Sequence, residues 1–158
     1  MMGGGPGYRY SPSTCVAPSA LPGSVVTVLL ADMNMGAMAG GVAPTTAHMM
    51  LRSDPVRTPA GTVSFVAVNR GWRVHELVIL PLAATAAAGQ RVAAADGTIA
   101  ETGSLGEASG ACAGGAGDGI PAGSAGWLTL TLRPGRYELV CNQPNHYADG
   151  MWQEFDVS

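Results

Sequence analysis

The sequence predicts an all-β fold, a sandwich or barrel of about seven to eight strands, and three observations carry that reading. Short apolar runs follow one another with turn residues between them, and no strand–helix–strand rhythm appears. Trp127–Leu132 (WLTLTL) alternates without a break and places Leu128, Leu130 and Leu132 on one face. Gly (23), Pro (11) and Ala together exceed a third of the 158 residues, a composition that disfavours long helices and supplies turns.

Residues 1–23, rich in Gly, Pro and Ser, read as an extended arm packed onto the domain by Tyr8 and Tyr10. Residues 24–158 read as one domain, the number that this length supports. The run 24–33 (SVVTVLLADM) is the first strand, and a Met- and Gly-rich loop spans 34–46. Strands are expected at 47–52 and 62–69, with Pro59, Ala60 and Gly61 as the turn between them. The run 73–80 (RVHELVIL) reads as a strand whose end is buried on both faces. Residues 81–126 form a long Ala- and Gly-rich insertion. It is expected to hold a short helix within 82–88, a short strand near 97–101, and a mobile tract at 103–119. Trp127–Leu132 and 136–141 (RYELVC) then make a hairpin over Arg133-Pro134-Gly135, and 151–157 is the closing strand. Phe65 and Trp127 are expected in the core, and Trp152 on the outer face.

Composition excludes several functions. Charged residues are 12% of the chain, all eight basic residues are Arg, and the net charge is −3, so there is no basic face for nucleic acid. No segment approaches the roughly 18 consecutive apolar residues of a membrane span. The opening MMGGGPGYRY has no apolar stretch of the kind a signal peptide carries. No acidic pair sits with a Ser or His in a hydrolase arrangement, and no Gly run resembles a phosphate loop.

The chemistry concentrates in the loop 141–151, Cys141-Asn-Gln-Pro-Asn-His146-Tyr-Ala-Asp-Gly-Met151. It sets a thiol, an imidazole and a thioether at even spacing between the end of one strand and the start of the next. All three are donors with high affinity for copper. Strand parity places Cys141 with Leu139 and Tyr137, Met151 with Phe155 and Val157, and His75 with Leu77 and Ile79, so all three point inward. An inward imidazole needs a partner, because burying it unpaired costs about 1–3 kcal/mol. One metal ion would partner His75, Cys141 and His146, with Met151 as a weak axial donor, the set of a one-electron copper centre.

On these residues the sequence resembles the cupredoxins, the small type 1 copper proteins of the plastocyanin and azurin kind. The resemblance rests on VNRGWRVHELVIL, PGRYELVC and CNQPNHYADGM followed by a closing strand, and the C-x4-H-x4-M spacing is most similar to rusticyanin and sulfocyanin. It covers residues 62–80 and 123–157. It implies a Greek-key β-sandwich, His75, Cys141 and His146 as equatorial ligands of one copper ion, and Met151 as the axial ligand. It also implies an extracytoplasmic monomer that carries electrons to and from a transient redox partner and is not an enzyme. Glu76 departs from the pattern, since many cupredoxins have Asn or Ser after the first His. Parity turns Glu76 away from His75, where it could brace the ligand loop or lower the reduction potential by placing negative charge near the copper. His146 is expected to present its ring edge at the surface, with Pro144, Tyr147 and Ala148 as an apolar rim. Cys15 and Cys112 remain as a spare pair, expected to bridge the arm and the insertion if the protein is exported. Met33, Met35, Met38, Met49, Met50 and His48 crowd the first loop. They read first as an apolar patch, and alternatively as a Cu(I) site of a copper-handling protein.

Overall fold

In the computed structural model, which describes residues 16–32, 48–112 and 114–158, nine strands form two facing sheets, and the described residues contain no helix. The strands are β1 (Ser24–Asp32), β2 (Met49–Asp54), β3 (Arg57–Thr58), β4 (Gly61–Asn69), β5 (Leu77–Leu82), β6 (Gly106–Ala108), β7 (Ala125–Leu132), β8 (Gly135–Val140) and β9 (Trp152–Val157). One sheet has the order β2-β1-β4-β7 and the other β3-β9-β8-β5-β6. The pairs β1–β4 and β3–β9 are parallel, and the rest are antiparallel. Two short strands, β3 and β6, raise the count above the expected seven to eight; neither is long enough to show a sequence period.

The core follows the two-residue period of the strands. Val26, Val28 and Leu30 of β1 and Val63, Phe65 and Ala67 of β4 share one core with Leu77, Ile79, Leu139 and Phe155 of the other sheet and with Cys141 and Met151 just beyond the ends of β8 and β9. Phe65 and Phe155 meet edge to face across the gap, with ring centroids 5.4 Å apart at 67°. Leu128, Leu130 and Leu132 share the inward face as expected, whereas Trp127 is only half-buried because it has the opposite parity.

The expectation that the β5 run is buried on both faces holds, and the insertion is the cause. Val78, Leu80 and Val140 on the outer face of their sheet form a second apolar cluster with Ile99 and Tyr147. The expected helix within 82–88 does not form. The carbonyls of Ala83, Ala84 and Ala86 all turn to Arg136 Nη1, at 2.9, 3.1 and 2.7 Å, and the single turn bond in the stretch, Ala86 N–H to Ala83 O, does not continue into a helix. The expected strand near 97–101 is also absent. Gly97 closes a turn with Ala94, and Ile99 bonds to the side chain of Asn142. Within 103–119, the tract expected to be mobile, the described residues include β6, paired to β5, and the fully buried Ser109. Tyr8, Tyr10 and Cys15 lie outside the described residues, as do Met33, Met35 and Met38. Cys112 is disulfide-bonded, while Cys141 is a free thiol; the Cys15 half of the expected pairing is not among the described residues.

Candidate metal centre

Three separate elements deliver the site to one end of the sandwich. His75 precedes β5 and is held by a two-way backbone bridge with Ile120, His75 N–H to Ile120 O at 3.2 Å and Ile120 N–H to His75 O at 2.7 Å. Cys141 follows β8 directly, and its N–H donates to the carbonyl of Met151. The loop between them folds back through Met151 N–H to His146 O and His146 N–H to Gln143 O. The strand 73–80 inferred from sequence therefore begins later, at Leu77, but the inward parity of His75 is retained.

His75, Cys141 and Met151 are fully buried, and His146 is 5% exposed. The two Nδ1 atoms are 3.2 Å apart, and Cys141 Sγ lies 3.4 Å from His146 Nδ1 and 3.8 Å from His75 Nδ1. These separations leave a point about 2.0 Å from all three atoms, equal to a usual metal–imidazole bond and slightly shorter than a metal–thiolate bond. The three donors thus fit one ion. Their softness favours copper or zinc over a hard cation. Met151 lies in the same core cluster as Cys141. His75, Cys141, His146 and Met151 form a candidate copper site.

Electrostatics make the pocket hostile to charge unless a cation occupies it. Burial lowers His75 to about 4, against the opposing pull of the Asp32 carboxylate. Burial, then the neighbouring His75, lowers His146 to about 4. Burial pushes the Cys141 thiol up to about 12, although amide hydrogen bonds from Gln143 and Glu76 act the other way. Metal binding must therefore displace the thiol proton, and affinity falls with falling pH.

These shifts give the metal-free protein a pH signature. Each imidazole has a folded-state pKa below its unfolded value, so the unfolded chain takes up protons first. The stability contributed by the two neutral rings is complete above about 6.5 and is lost as the pH falls toward about 4. Glu76 opposes them. Burial, then the charges of Glu101 and Glu107, raise it from 4.5 to about 7, so its contribution is fully present below 4.5 and lost as the pH rises through 7. Two imidazoles outweigh one carboxylate. Urea melts of the metal-free protein should show a midpoint that falls between pH 6.5 and 4; a rising midpoint contradicts two buried neutral rings.

Around the ligands the structure matches some sequence expectations and departs from others. Glu76 does turn away from His75, and its carboxylate accepts from Gln143 Nε2 at 3.3 Å, bracing the ligand loop. Its backbone N–H also points at Cys141 Sγ, at 3.3 Å. His146, expected to show its ring edge at the surface, is buried. Tyr147, expected on an exposed rim, is 3% exposed because it belongs to the second apolar cluster; Pro144 and Ala148 are exposed.

Two polar residues carry unexpected weight. Asn69 is fully buried, donates to the carbonyls of Arg73 (2.7 Å) and Ile120 (2.8 Å), and so fixes the two segments that bridge at His75. Asp32, at the end of β1, accepts from the N–H groups of Trp72 (2.6 Å) and Arg73 (3.2 Å) and lies 3.9 Å from His75 Nε2. Gly71 is required beside it, since a Cβ there would stand 2.2 Å from Asp32 Oδ1. No local pattern marks either residue, as each ends an apolar strand where a polar residue is ordinary.

No family model and no curated protein sequence matches the chain. The two sheets, with a His ahead of an inner strand and a Cys–His–Met loop before the last one, make the cupredoxin fold. Among solved structures the chain is similar to reduced rusticyanin, at 20% identity over 87% of this chain and 82% of that one, with a TM-score of 0.51. It is similar to auracyanin B at 18% identity over 92% and 95%, with a TM-score of 0.51. Rusticyanin from Thiobacillus ferrooxidans matches at 19% identity over 87% and 79%, with a TM-score of 0.50.

Proposed function

We propose that this protein is a one-electron carrier built around a single copper ion held by His75, Cys141 and His146, with Met151 as a weak axial donor. The observation that carries the reading is the convergence of two Nδ1 atoms and one Sγ within 3.8 Å of one another in a buried pocket. Bound copper would supply Cu(II)/Cu(I) chemistry. The chain's part is to hold the donors in place, so that little moves when the electron arrives or leaves. The likeness in fold to rusticyanin and auracyanin supports the same reading. No helix of the described residues is long and apolar enough to cross a membrane. We place the protein outside the cytoplasm as a monomer that meets its redox partner briefly, with exposed Pro144 and Ala148 beside the buried His146 as the apolar contact.

Copper stoichiometry tests this reading against storage or delivery of copper by the Met-rich loop. One copper per chain is the expected result; two or more, held as Cu(I), contradicts a carrier. The role of Met151 has its own test. Met151→Leu should keep copper and colour and raise the reduction potential, because the weak sulfur donor to Cu(II) is gone. Met151→Gln should lower the potential by offering a harder oxygen. Voltammetry of the two variants checks this, and potentials unchanged in both would make Met151 core packing only.

A further inference from the structure

The ligand loop is gripped from outside the sandwich at three places, all by one stretch of the insertion. Glu138 of β8 is fully buried and turned toward that outer face. It accepts from Arg91 Nε (2.6 Å), from the Gly89 N–H (2.7 Å) and from the Tyr147 hydroxyl (2.7 Å). The Arg91 backbone N–H donates to the Tyr147 hydroxyl oxygen at 3.2 Å, so Glu138, Arg91 and Tyr147 close a ring beside His146, the guanidinium on the carboxylate and the Arg91 amide on the phenol. Farther along, Asn142 exchanges two hydrogen bonds with the backbone of Ile99 (2.8 and 3.0 Å) and donates to Glu101 Oε2 at 2.6 Å. Between these, Asn145 N–H donates to Gly97 O at 2.9 Å. Gly97 has φ +84°, and a Cβ there would stand 2.4 Å from Asn145 Oδ1, so the approach admits only glycine.

A surface loop joining two strands has no need of a fully buried carboxylate, which is costly unless paired and hydrogen-bonded. Glu138 is satisfied only while segment 89–101 and Tyr147 are both seated. The contacts fall on Asn142, Asn145 and Tyr147, which flank His146 and follow Cys141. We propose that residues 89–101 are a clamp that fixes the Cys141–Met151 loop in its ligating shape before any metal arrives, with Glu138 as its anchor and Tyr147 as a positioning residue for His146. The proposal rests on the carrier reading for its purpose but not for its test.

Hydrogen exchange on the metal-free full chain decides it. In Tyr147→Phe, amide protection in 142–150 should fall about ten-fold or more, while the strands of the sandwich keep theirs. Gly97→Ala, which pries the other end of the clamp, should give the same local pattern. The rate of Cu(II) transfer from the loaded variants to a chelator should rise by a similar factor. Protection unchanged in the loop, or lost evenly over the whole domain, overturns the proposal and leaves these contacts as ordinary packing. If the unmodified protein binds no copper, the carrier reading fails, and the exchange pattern still decides the clamp.

Discussion

Cys141→Ser is expected to erase the intense visible absorption of the Cu(II)-loaded protein while leaving the sandwich folded. A thiolate is the one donor in this site able to give strong sulfur-to-copper charge transfer, and a serine hydroxyl is a poor ligand that does not ionise here. The site loses one of three donors, so copper affinity should drop by on the order of a hundred-fold or more. The fold should survive, because the contact closing the loop runs from the Cys141 backbone N–H to Met151 O and not through sulfur. Far-UV circular dichroism unchanged, with the optical band gone, is the expected pair of results. A variant that keeps its colour shows that another group is the sulfur ligand.

The converse separation is expected from Phe65→Ala. Phe65 is fully buried at the middle of β4 and meets Phe155 across the two sheets. Truncation loses the transfer free energy of the ring, opens a cavity and removes the edge-to-face contact, for a cost of about 3–5 kcal/mol. That is a large share of the roughly 5–15 kcal/mol that holds an ordinary domain together. The loss should appear in urea melts of the metal-free protein. The ligands, His75 ahead of β5 and the rest in the 141–151 loop after β8, lie outside β4, so copper added to the folded fraction should still give the coloured species. A loss below 1 kcal/mol would mean that the two sheets are not packed through this pair.

What was legible in the sequence was what a two-residue period controls. Alternation placed Leu128, Leu130 and Leu132 inward, and the same parity turned His75, Cys141 and Met151 into the core, where they are found. That parity rule also set Glu76 apart from His75. It failed where the chain leaves regular strands. Tyr147 looks like a rim residue beside His146 because nothing local announces that Ile99, far away in sequence, covers it. The Ala-rich run 82–88 suits a helix by propensity, yet Arg136 from a neighbouring strand takes up its carbonyls. The insertion reads as featureless because its structure is made by partners outside it: Glu138, Asn142 and Asn145. Asn69 and Asp32 were missed for the same reason, since both act on segments brought to them by the fold.

Two imidazoles and one thiolate on this sandwich are expected to hold a single redox-active copper, and the visible and EPR spectrum of the protein titrated with Cu(II) decides the matter. The expected result is a single EPR-active Cu(II) per chain with intense orange-red absorption that bleaches on reduction and returns on oxidation. Copper bound only as colourless Cu(I), or no stoichiometric copper at all, would contradict it.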